Sequence, residues 1–398
     1  MRRVVVTGLG PVSSIGIGVR AFEAGLRAGR SGVGDITAFD PTGFPRTRAG
    51  EVTAFRPREL LRVLDADRWG RSACFAAAAA RLAVADAGLS EVDLRDASVV
   101  VGTTSGESKV IEEFGRRVAG EGFAAVPAAL AEQLPAGRLS FAVNEELGIA
   151  GESVTLATAC SASNYALGYA YDAIAHGDAD IVVTGGADSV CRWAHAGFVR
   201  LGAVAELECA PFDRDRTGMV TAEGGAMLVL ESEEHAARRG ARAYARVLGY
   251  ALNCDAHHMV APRAETIAAC MRLALADAGL TPEDVDYVCA HGTGTLANDA
   301  TEAEALHAAF AGRVPPVSSI KSMLGHTMGA ASAFGLIAAA LAIARGFLPP
   351  TINWTTPDPA MPWLDPVANR AREAKVRVAQ NNGFAFGGNN AISLLGAV

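Results

Sequence analysis

The chain has 398 residues, half of them hydrophobic and 20% charged, so it can bury a large core and is not a disordered polymer. Its 43 acidic and 35 basic residues give a net charge of −8, which argues against nucleic acid or an anionic membrane as the main partner. Seven cysteines without regular spacing do not form a disulfide framework and favour a reducing, cytoplasmic setting.

Short β-branched runs alternate with alanine-rich helical stretches, a pattern typical of a layered α/β protein with buried, mixed sheets. We predict strands at residues 4–6, 98–101, 154–158, 181–184, 226–230, 245–250, 285–290, 316–318, 376–380 and 392–395. We predict helices at 73–87 and 266–278, and loops with short helices at 35–61 and 106–141. The Glu- and Arg-rich stretch 233–241 is the predicted boundary between two units, residues 1–240 and 241–398.

The two units are related in pattern. In the first, a strand leads to Cys160 and a small-residue helix through His176; in the second, a strand and loop lead to His326 and a small-residue helix to Ala344. Two copies of one supersecondary unit indicate a duplicated architecture. The apolar stretch 330–344 is shorter than the roughly 20 residues of a membrane span, so we predict a buried helix.

A glycine-containing segment near the start, residues 7–13 (TGLGPVS), is similar to the beginning of a dinucleotide-binding fingerprint. Ser13 replaces the third glycine, and no acidic residue follows at the required distance on a second strand. We therefore predict a tight structural turn here and not a cofactor site.

Cys160 lies where a predicted buried strand gives way directly to a helix. A thiol at a helix N-terminus lies near the positive end of the helix dipole and near unpaired N–H groups, so we expect its pKa to be lowered. Those N–H groups could also stabilise an oxyanion on an attached acyl group. The alternative is a buried structural thiol, which we assign to the six other cysteines: Cys74, Cys191, Cys209, Cys254, Cys270 and Cys289.

Two histidines lie at positions where α/β folds present reactive side chains. His291 directly follows a predicted strand and enters a Gly/Thr loop suited to an extended polar ligand arm, although a satisfied structural histidine is the alternative. His326 opens a predicted helix, whose dipole disfavours the imidazolium and keeps the ring neutral. Nearby Lys321 has an apolar context that predicts a buried cation and not a solvated one, with Asp299 and Glu302 as candidate partners.

The segment 383–390 (GFAFGGNN) follows the predicted strand 376–380, and its paired glycines allow close backbone approach to a ligand or catalytic centre. Phe384 and Phe386 either belong to the core or line a pocket mouth. The chain contains no HExxH or CxxC motif, and the adjacent His257 and His258 lack a spaced partner, so we predict no transition-metal site.

Together these segments resemble the β-ketoacyl synthases, the condensing enzymes of fatty acid and polyketide synthesis. Four motifs carry the resemblance in family order: 158–163 (TACSAS), 291–295 (HGTGT), 321–326 (KSMLGH) and 386–388 (FGG). The resemblance spans essentially the whole chain. It implies a thiolase fold, in which two duplicated α/β halves form a five-layered αβαβα structure.

The resemblance also implies a set of roles. Cys160 accepts an acyl chain from an acyl carrier protein, and His291 and His326 promote decarboxylation of a malonyl extender and hold the enolate oxygen. Lys321 and Glu302 support the site, and Thr293 and Thr295 bind the phosphopantetheine arm. Backbone N–H groups of Cys160 and Phe386 form the oxyanion hole, Phe386 is also the gate to the acyl pocket, and no cofactor is needed.

The chain departs from the family pattern at two positions. Gly335 stands where many relatives carry a glutamate, which removes a carboxylate from the network near Lys321, and Ala385 stands where glycine is commoner. Among alternatives, a degradative thiolase needs a second cysteine in the C-terminal glycine loop, and a chain-initiating synthase has asparagine for the second histidine. A non-catalytic chain-length factor typically lacks the nucleophile, so the presence of Cys160 disfavours it.

The segment 177–188 is apolar at 181–183, and as an exposed edge strand it would invite aggregation. The resemblance implies that it pairs with its counterpart across a two-fold axis. We therefore expect an obligate dimer, either with a second copy or, because of Gly335, with a chain-length-factor-like homologue.

Overall fold

The computed structural model describes all 398 residues as a mixed α/β fold with sixteen strands and fourteen helices. The strands are β1 (Val4–Ser13), β2 (Gly16–Ile17), β3 (Gly34–Asp35), β4 (Arg48–Gly50), β5 (Ser98–Gly102), β6 (Ser153–Leu156), β7 (Ile181–Asp188), β8 (Thr221–Ala222), β9 (Gly224–Ser232), β10 (Ala245–Cys254), β11 (Tyr287–Cys289), β12 (Val317–Ser318), β13 (Phe347–Leu348), β14 (Arg372–Glu373), β15 (Val378–Phe384) and β16 (Asn389–Gly396).

The helices are α1 (Val19–Ala28), α2 (Pro57–Leu60), α3 (Arg71–Ala87), α4 (Glu91–Leu94), α5 (Ser108–Glu121), α6 (Ala128–Ala131), α7 (Arg138–Leu147), α8 (Ala162–His176), α9 (Arg192–Arg200), α10 (Glu233–Arg238), α11 (Ala264–Asp277), α12 (Leu296–Ala309), α13 (Lys321–Leu324) and α14 (Ala331–Arg345). Four 3₁₀ turns cover Phe123–Ala125, Ala159–Ser161, Pro282–Asp284 and Met328–Ala330.

The predicted duplication is visible in the strand order. The main sheet runs β12-β11-β15-β16-β10-β1-β9-β7-β5-β6, and each half places its five strands in the same order, 1-5-4-2-3 along the chain. The halves join where β1 and β10 pair antiparallel, with Val4 opposite Val247. A single strand arrangement is therefore used twice in one continuous sheet.

Helices cover the sheet in layers. Helices α8 and α14 contact each other and strands of both halves, whereas α3 packs on β1, β7 and β9, and α11 packs on β10 and β16. The largest apolar core lies around the central pair, and separate cores lie beneath the outer helices. This arrangement is the expected αβαβα order, and it brings the N-termini of the two central helices together.

The segment Met328–Arg345 is long and apolar enough to cross a membrane by length and composition, with a mean hydropathy of 1.6. However, 83% of it is buried inside the protein. The predicted buried helix is therefore confirmed. Its small residues let α14 pack between the two halves.

Three expectations were wrong in detail. Strand β7 is not a free edge, because it lies between β5 and β9 with all eight residues buried, and β6 forms the edge of this half instead. The segment 7–13 is not a turn but part of β1. A Cβ added to Gly8 would lie 2.1 Å from the carbonyl oxygen of Ala83, so the glycine is required for close packing of β1 on α3.

The third error is the 14-residue helix α5, which lies in the stretch 106–141 where we predicted only loops and short helices. Only Ser108 and Val110 of this helix are buried. Val110, Ile111, Phe114 and Val118 nevertheless recur at helical spacing, so the pattern was present, and the prediction gave too much weight to the glycines and prolines of this stretch.

Candidate active site

Cys160 sits on a strained elbow between β6 and α8. It is buried in the 3₁₀ turn Ala159–Ser161, and Ala159 has a φ of 51°, a conformation that costs a non-glycine residue about 1–3 kcal/mol. Such strain is often found at functional sites because it fixes the direction of one side chain. The predicted strand–thiol–helix junction is present.

His326 lies two residues before the matching elbow in the second half. Its segment pairs with the strand of Thr221, and a 3₁₀ turn with Met328 at a φ of 52° leads into α14. The backbone N–H of Met328 donates to Nδ1 of His326 at 3.2 Å. A neutral ring therefore carries its proton on Nε2, which is free to donate to a substrate.

His291 follows β11 and is held through its backbone by Glu302 and Lys321. Glu302 accepts hydrogen bonds from the N–H of His291 at 2.8 Å and of Gly292 at 2.7 Å, and Lys321 Nζ donates to the His291 carbonyl at 2.6 Å. Asn382 donates to the same carboxylate at 2.9 Å, a partner that no sequence motif indicated. These contacts fix the loop that carries the imidazole.

The nucleophile and both histidines line one cavity of about 320 Å³, which we call the outer cavity. The imidazole rings of His291 and His326 lie 5.5 Å apart and nearly perpendicular. Residues from distant parts of the chain, at or just before an elbow of each half and at the end of β11, therefore face one space. The arrangement combines a nucleophile with two hydrogen-bond donors.

Both imidazoles are neutral at ordinary pH. Burial lowers the pKa of His291 and of His326 well below the usual value, and the charge of Lys321 lowers both further. The sequence predicted a neutral His326, but the main cause is burial and not the helix dipole. Neutral rings can donate from one nitrogen without protonating a carbanion nearby.

The expected lowering of the Cys160 pKa is wrong for the unliganded site. Burial raises the pKa of this thiol to about 12, and this effect exceeds the opposing effects of Lys321 and of the N–H groups of Cys160 and Phe386. Helix dipole arguments hold best for exposed thiols, and Cys160 is only 6% exposed. Its thiolate therefore depends on those three partners, two of which are the predicted oxyanion-hole donors.

Cys254 also departs from its prediction, because it is the exposed thiol and not a buried structural one. The other five cysteines outside the site are buried as expected.

Lys321 is the buried cation that its apolar neighbours predicted, with 5% of its surface exposed. Neither candidate acid forms an ion pair with it, because its Nζ donates to the His291 carbonyl at 2.6 Å, and Cys289 and Glu302 raise its pKa against burial only through their charge. The other candidate, Asp299, instead accepts hydrogen bonds from the N–H groups of Thr293 at 3.0 Å and Gly294 at 3.1 Å, and lies 3.9 Å from Arg216. Asp299 thus shapes the threonine loop.

Thr293 and Thr295 line the outer cavity, and their hydroxyl oxygens lie 2.9 Å apart. Thr295 also caps α12 by accepting from the N–H of Asn298. The pair presents polar groups along the wall that leads from the surface to Cys160.

Phe386 separates the outer cavity from an inner cavity of about 180 Å³. Its ring lies 5.9 Å from that of Phe198 on α9, and both rings line both cavities. Gly387 and Gly388 follow with positive φ values of 88° and 79°, which only glycine adopts without strain. No sequence pattern indicated Phe198 or the inner cavity, because α9 carries no motif.

Comparison with known proteins agrees with this geometry. Residues 1–236 match the family described as "Beta-ketoacyl synthase, N-terminal domain", and residues 244–355 match "Beta-ketoacyl synthase, C-terminal domain". The chain is 37% identical to "3-oxoacyl-[acyl-carrier-protein] synthase 2" of Synechocystis sp., over 98% of this chain and 96% of that protein.

Two solved structures are similar over the full length. "The ishigamide ketosynthase/chain length factor" is 51% identical with a TM-score of 0.97, covering 100% of this chain and 99% of that one. A "type II PKS acyl-carrier protein in complex with its ketosynthase bound to the hexaketide" is 32% identical with a TM-score of 0.92, covering 100% of both chains.

Proposed function

The chain belongs to the β-ketoacyl synthase family, and on this premise we propose that Cys160, His291 and His326 perform a decarboxylative Claisen condensation on substrates carried by an acyl carrier protein. The protein is a condensing acyltransferase with a thiolase fold. The observation that carries the proposed residue roles is the convergence of one thiol and two neutral imidazoles on a single cavity.

The first step transfers the acyl chain to Cys160. Sγ attacks the thioester carbonyl, a new C–S bond forms, and the carrier thiol leaves with the proton that Cys160 gives up. The N–H groups of Cys160 and Phe386, which lower the pKa of the thiol, hold the oxyanion of the tetrahedral intermediate in this proposal. Lys321 adds a positive charge that favours the thiolate during attack.

The second step breaks the bond between the malonyl carboxylate and the adjacent carbon. Carbon dioxide leaves, and the electron pair forms an enolate whose oxygen accepts hydrogen bonds from His291 and from Nε2 of His326. The enolate carbon then attacks the Cys160 thioester, and the C–S bond breaks to return the Cys160 thiolate, which takes up a proton from solvent. Loss of carbon dioxide drives the condensation, so this reaction needs no resident metal or redox cofactor.

The two cavities give the substrates separate places. In this proposal the phosphopantetheine arm lies along Thr293 and Thr295 in the outer cavity, and the acyl chain passes Phe386 into the inner cavity. The inner cavity is mostly apolar, which suits a hydrocarbon chain. Movement of Phe386 would let the chain enter before the extender arrives.

An acyl carrier protein is the partner that this chemistry requires. Leu201, Met259 and Leu296 line the outer cavity and are each more than half exposed, so they offer an apolar surface at its mouth. Arg200 and Arg263 are exposed directly beside this rim and could attract an acidic partner despite the net negative charge. We place the enzyme in the cytoplasm, because all seven cysteines are free.

We further propose a dimer formed at the edge strand β6. Ser153 is exposed there, and Tyr169 of the neighbouring α8 is 39% exposed. The second subunit is either another copy or a homologue acting as a chain-length factor, since one similar structure is a ketosynthase/chain length factor. This chain is not itself the non-catalytic subunit in our proposal, because it carries the full nucleophile and histidine set.

The decisive experiment uses intact-protein mass spectrometry. The chain, incubated with acyl carrier protein bearing an acyl group, should gain one acyl mass on Cys160, and addition of malonyl carrier protein should release a chain longer by two carbons. Cys160→Ala should lose both events while keeping the wild-type thermal midpoint. Condensation by this variant at the wild-type rate would refute the proposed mechanism.

A further inference from the structure

Two buried asparagines connect the nucleophile helix to the strand that leads to Phe386. Asn164 lies in the first turn of α8 and Asn381 lies in β15, and both are at most 1% exposed. Asn381 Nδ2 donates to Asn164 Oδ1 at 2.9 Å, and Asn164 Nδ2 donates to the carbonyl of Asn381 at 3.2 Å. We call this reciprocal pair the amide clasp.

The clasp reaches beyond its two members. Asn164 Nδ2 also donates to the carbonyl of Ala391 in β16 at 3.0 Å, and Asn381 Nδ2 donates to the carbonyl of Ser332 in α14 at 2.9 Å. The hydroxyl of Ser332 accepts from the backbone N–H of Asn164 at 3.2 Å. All four side-chain N–H groups thus have partners, and α8, α14, β15 and β16 meet at one buried point.

Gly335 makes room for the clasp. A Cβ added to this residue would lie 2.2 Å from Oδ1 of Asn381, far inside contact distance. The amide cannot turn away without breaking the hydrogen bonds that its two N–H groups donate to Asn164 and Ser332. A glycine in the interior of a helix is less favourable than alanine, so the close approach of Asn381 accounts for its presence in α14.

The clasp joins the segment that follows Cys160 to the segment that precedes Phe386. Asn164 is four residues after Cys160, and Asn381 is five residues before Phe386. Cys160 and Phe386 line the same cavity from opposite halves of the fold, and the backbone N–H groups of both lower the pKa of the Cys160 thiol. Their separation therefore depends on how α8 is held against β15.

We propose that Asn164 and Asn381 are positioning residues that set the spacing between the N–H groups of Cys160 and Phe386, and thereby the reactivity of Cys160. The inference rests on the proposed function for its meaning in acyl transfer, since the same two N–H groups form the proposed oxyanion hole. It predicts that a small displacement of Asn381 slows reactions at Cys160 without removing any catalytic group.

The test compares two glycine-to-alanine variants. Gly335→Ala forces Asn381 to move. Gly168→Ala is the matched control, because an added Cβ at this position would lie 2.5 Å from the Tyr250 ring and would also require a shift. Gly168 lies in α8 but is far along the helix from Cys160. Each variant is examined for its thermal midpoint, for acylation of Cys160 in a single turnover, and for the pH dependence of Cys160 alkylation by iodoacetamide, followed by peptide mapping.

We expect Gly335→Ala to slow acylation by about tenfold and to slow Cys160 alkylation at every pH tested, because displaced N–H groups stabilise the thiolate less well. Gly168→Ala should keep the wild-type alkylation and acylation rates even if its thermal midpoint falls equally. A wild-type alkylation profile in Gly335→Ala, or losses that follow the thermal midpoint in both variants, would overturn the inference.

A second comparison does not depend on Gly335. If Asn164 and Asn381 act as a unit, the double variant Asn164→Ala/Asn381→Ala should lose no more reactivity than the worse single variant. If the double variant instead lost the sum of the two single losses of Cys160 reactivity, the two asparagines would not act as a unit. Because alkylation needs neither carrier protein nor malonyl group, it tests the clasp even if the proposed condensation fails, and failed condensation by the wild-type chain would count only against the proposed function.

Discussion

Lys321 Nζ donates a hydrogen bond to the backbone carbonyl of His291 at 2.6 Å, and both residues are buried. This contact places a cation next to a histidine that must stay neutral. The same charge lowers the pKa of Cys160, His291 and His326. One lysine therefore favours the charged form of the nucleophile and the uncharged form of both donors.

Replacement of this lysine tests that role. In Lys321→Met the Cys160 pKa should rise further, because an opposite charge is removed from a buried thiol, and alkylation at pH 8 should slow about tenfold. The measurement is the pH profile of Cys160 alkylation, resolved by peptide mapping because Cys254 is exposed and reacts in parallel. Cys254 provides the internal control, since its rate should not change, and an unaltered Cys160 profile would contradict the proposed influence of Lys321.

The two histidines should be needed for decarboxylation but not for acylation of the nucleophile. His291→Ala and His326→Ala should each reduce malonyl decarboxylation by about 10²–10³-fold, because each removes one donor to the enolate oxygen. Both variants should still accept an acyl group on Cys160, whose thiolate is stabilised by Lys321 and backbone N–H groups. Release of labelled carbon dioxide and acylation by mass spectrometry measure the two steps separately. Complete loss of acylation in both variants would instead identify a histidine as the obligatory base.

The lowered pKa values of both histidines also predict how the decarboxylation rate changes at acidic pH. Protonation of either ring removes its neutral form, and since both pKa values lie well below 6.5, decarboxylation should remain undiminished as pH falls through 6.5. In Lys321→Met the repulsion is gone, so the histidine pKa values should rise and the loss of activity should begin at higher pH. A wild-type profile that falls with a midpoint at 6.5 would show that the rings are not held neutral.

Much of this site could be predicted because its chemistry is local in sequence. The strand–Cys160–helix junction and the loop after the strand of His291 each appear within a few residues, and the structure brings both to one cavity. The pKa of Cys160 could not be predicted, because it depends on burial by distant segments and on Lys321. Asn382, which holds Glu302 from β15, was missed for the same reason: no local pattern reveals a partner 80 residues away.

The fold was predictable to a similar extent. Runs of β-branched residues located the ten strands of the duplicated halves, but did not reveal that β7 is internal and β6 is the edge, since pairing order is set by packing between distant segments. The glycines at 8 and 10 illustrate the same limit. Their local sequence suggests a turn, whereas glycine is required at both positions because α3 approaches β1 too closely for a side chain.

Phe386 should control entry to the inner cavity. Because Gly387 and Gly388 follow it with positive φ values, its backbone can change conformation at low cost. Phe386→Ala should impair the ordered arrival of the extender more than acyl loading, seen as a larger fall in condensation than in single-turnover acylation. Phe198→Ala is the matched control for loss of an aromatic ring from the same contact. Equal effects of Phe386→Ala on both steps would count against gating.

The edge strand β6 makes the proposed dimer testable by one substitution. The carbonyls of Glu152 and Leu156 accept from β5, so Ser153 and Thr155, which alternate with them, direct their N–H groups away from the sheet. Ser153→Pro removes one of these outward donors without breaking the bonds to β5, and proline is tolerated on an edge. Light scattering after size exclusion should give a dimer for the wild-type chain and a monomer for Ser153→Pro. Wild-type chain that is monomeric and active would refute the dimer, and a Ser153→Pro dimer would place the interface elsewhere.

Coexpression with a chain-length-factor-like homologue then distinguishes the homodimer from the heterodimer. A homodimer with full activity leaves no need for the second subunit, whereas activity that appears only in the mixed complex supports the heterodimer.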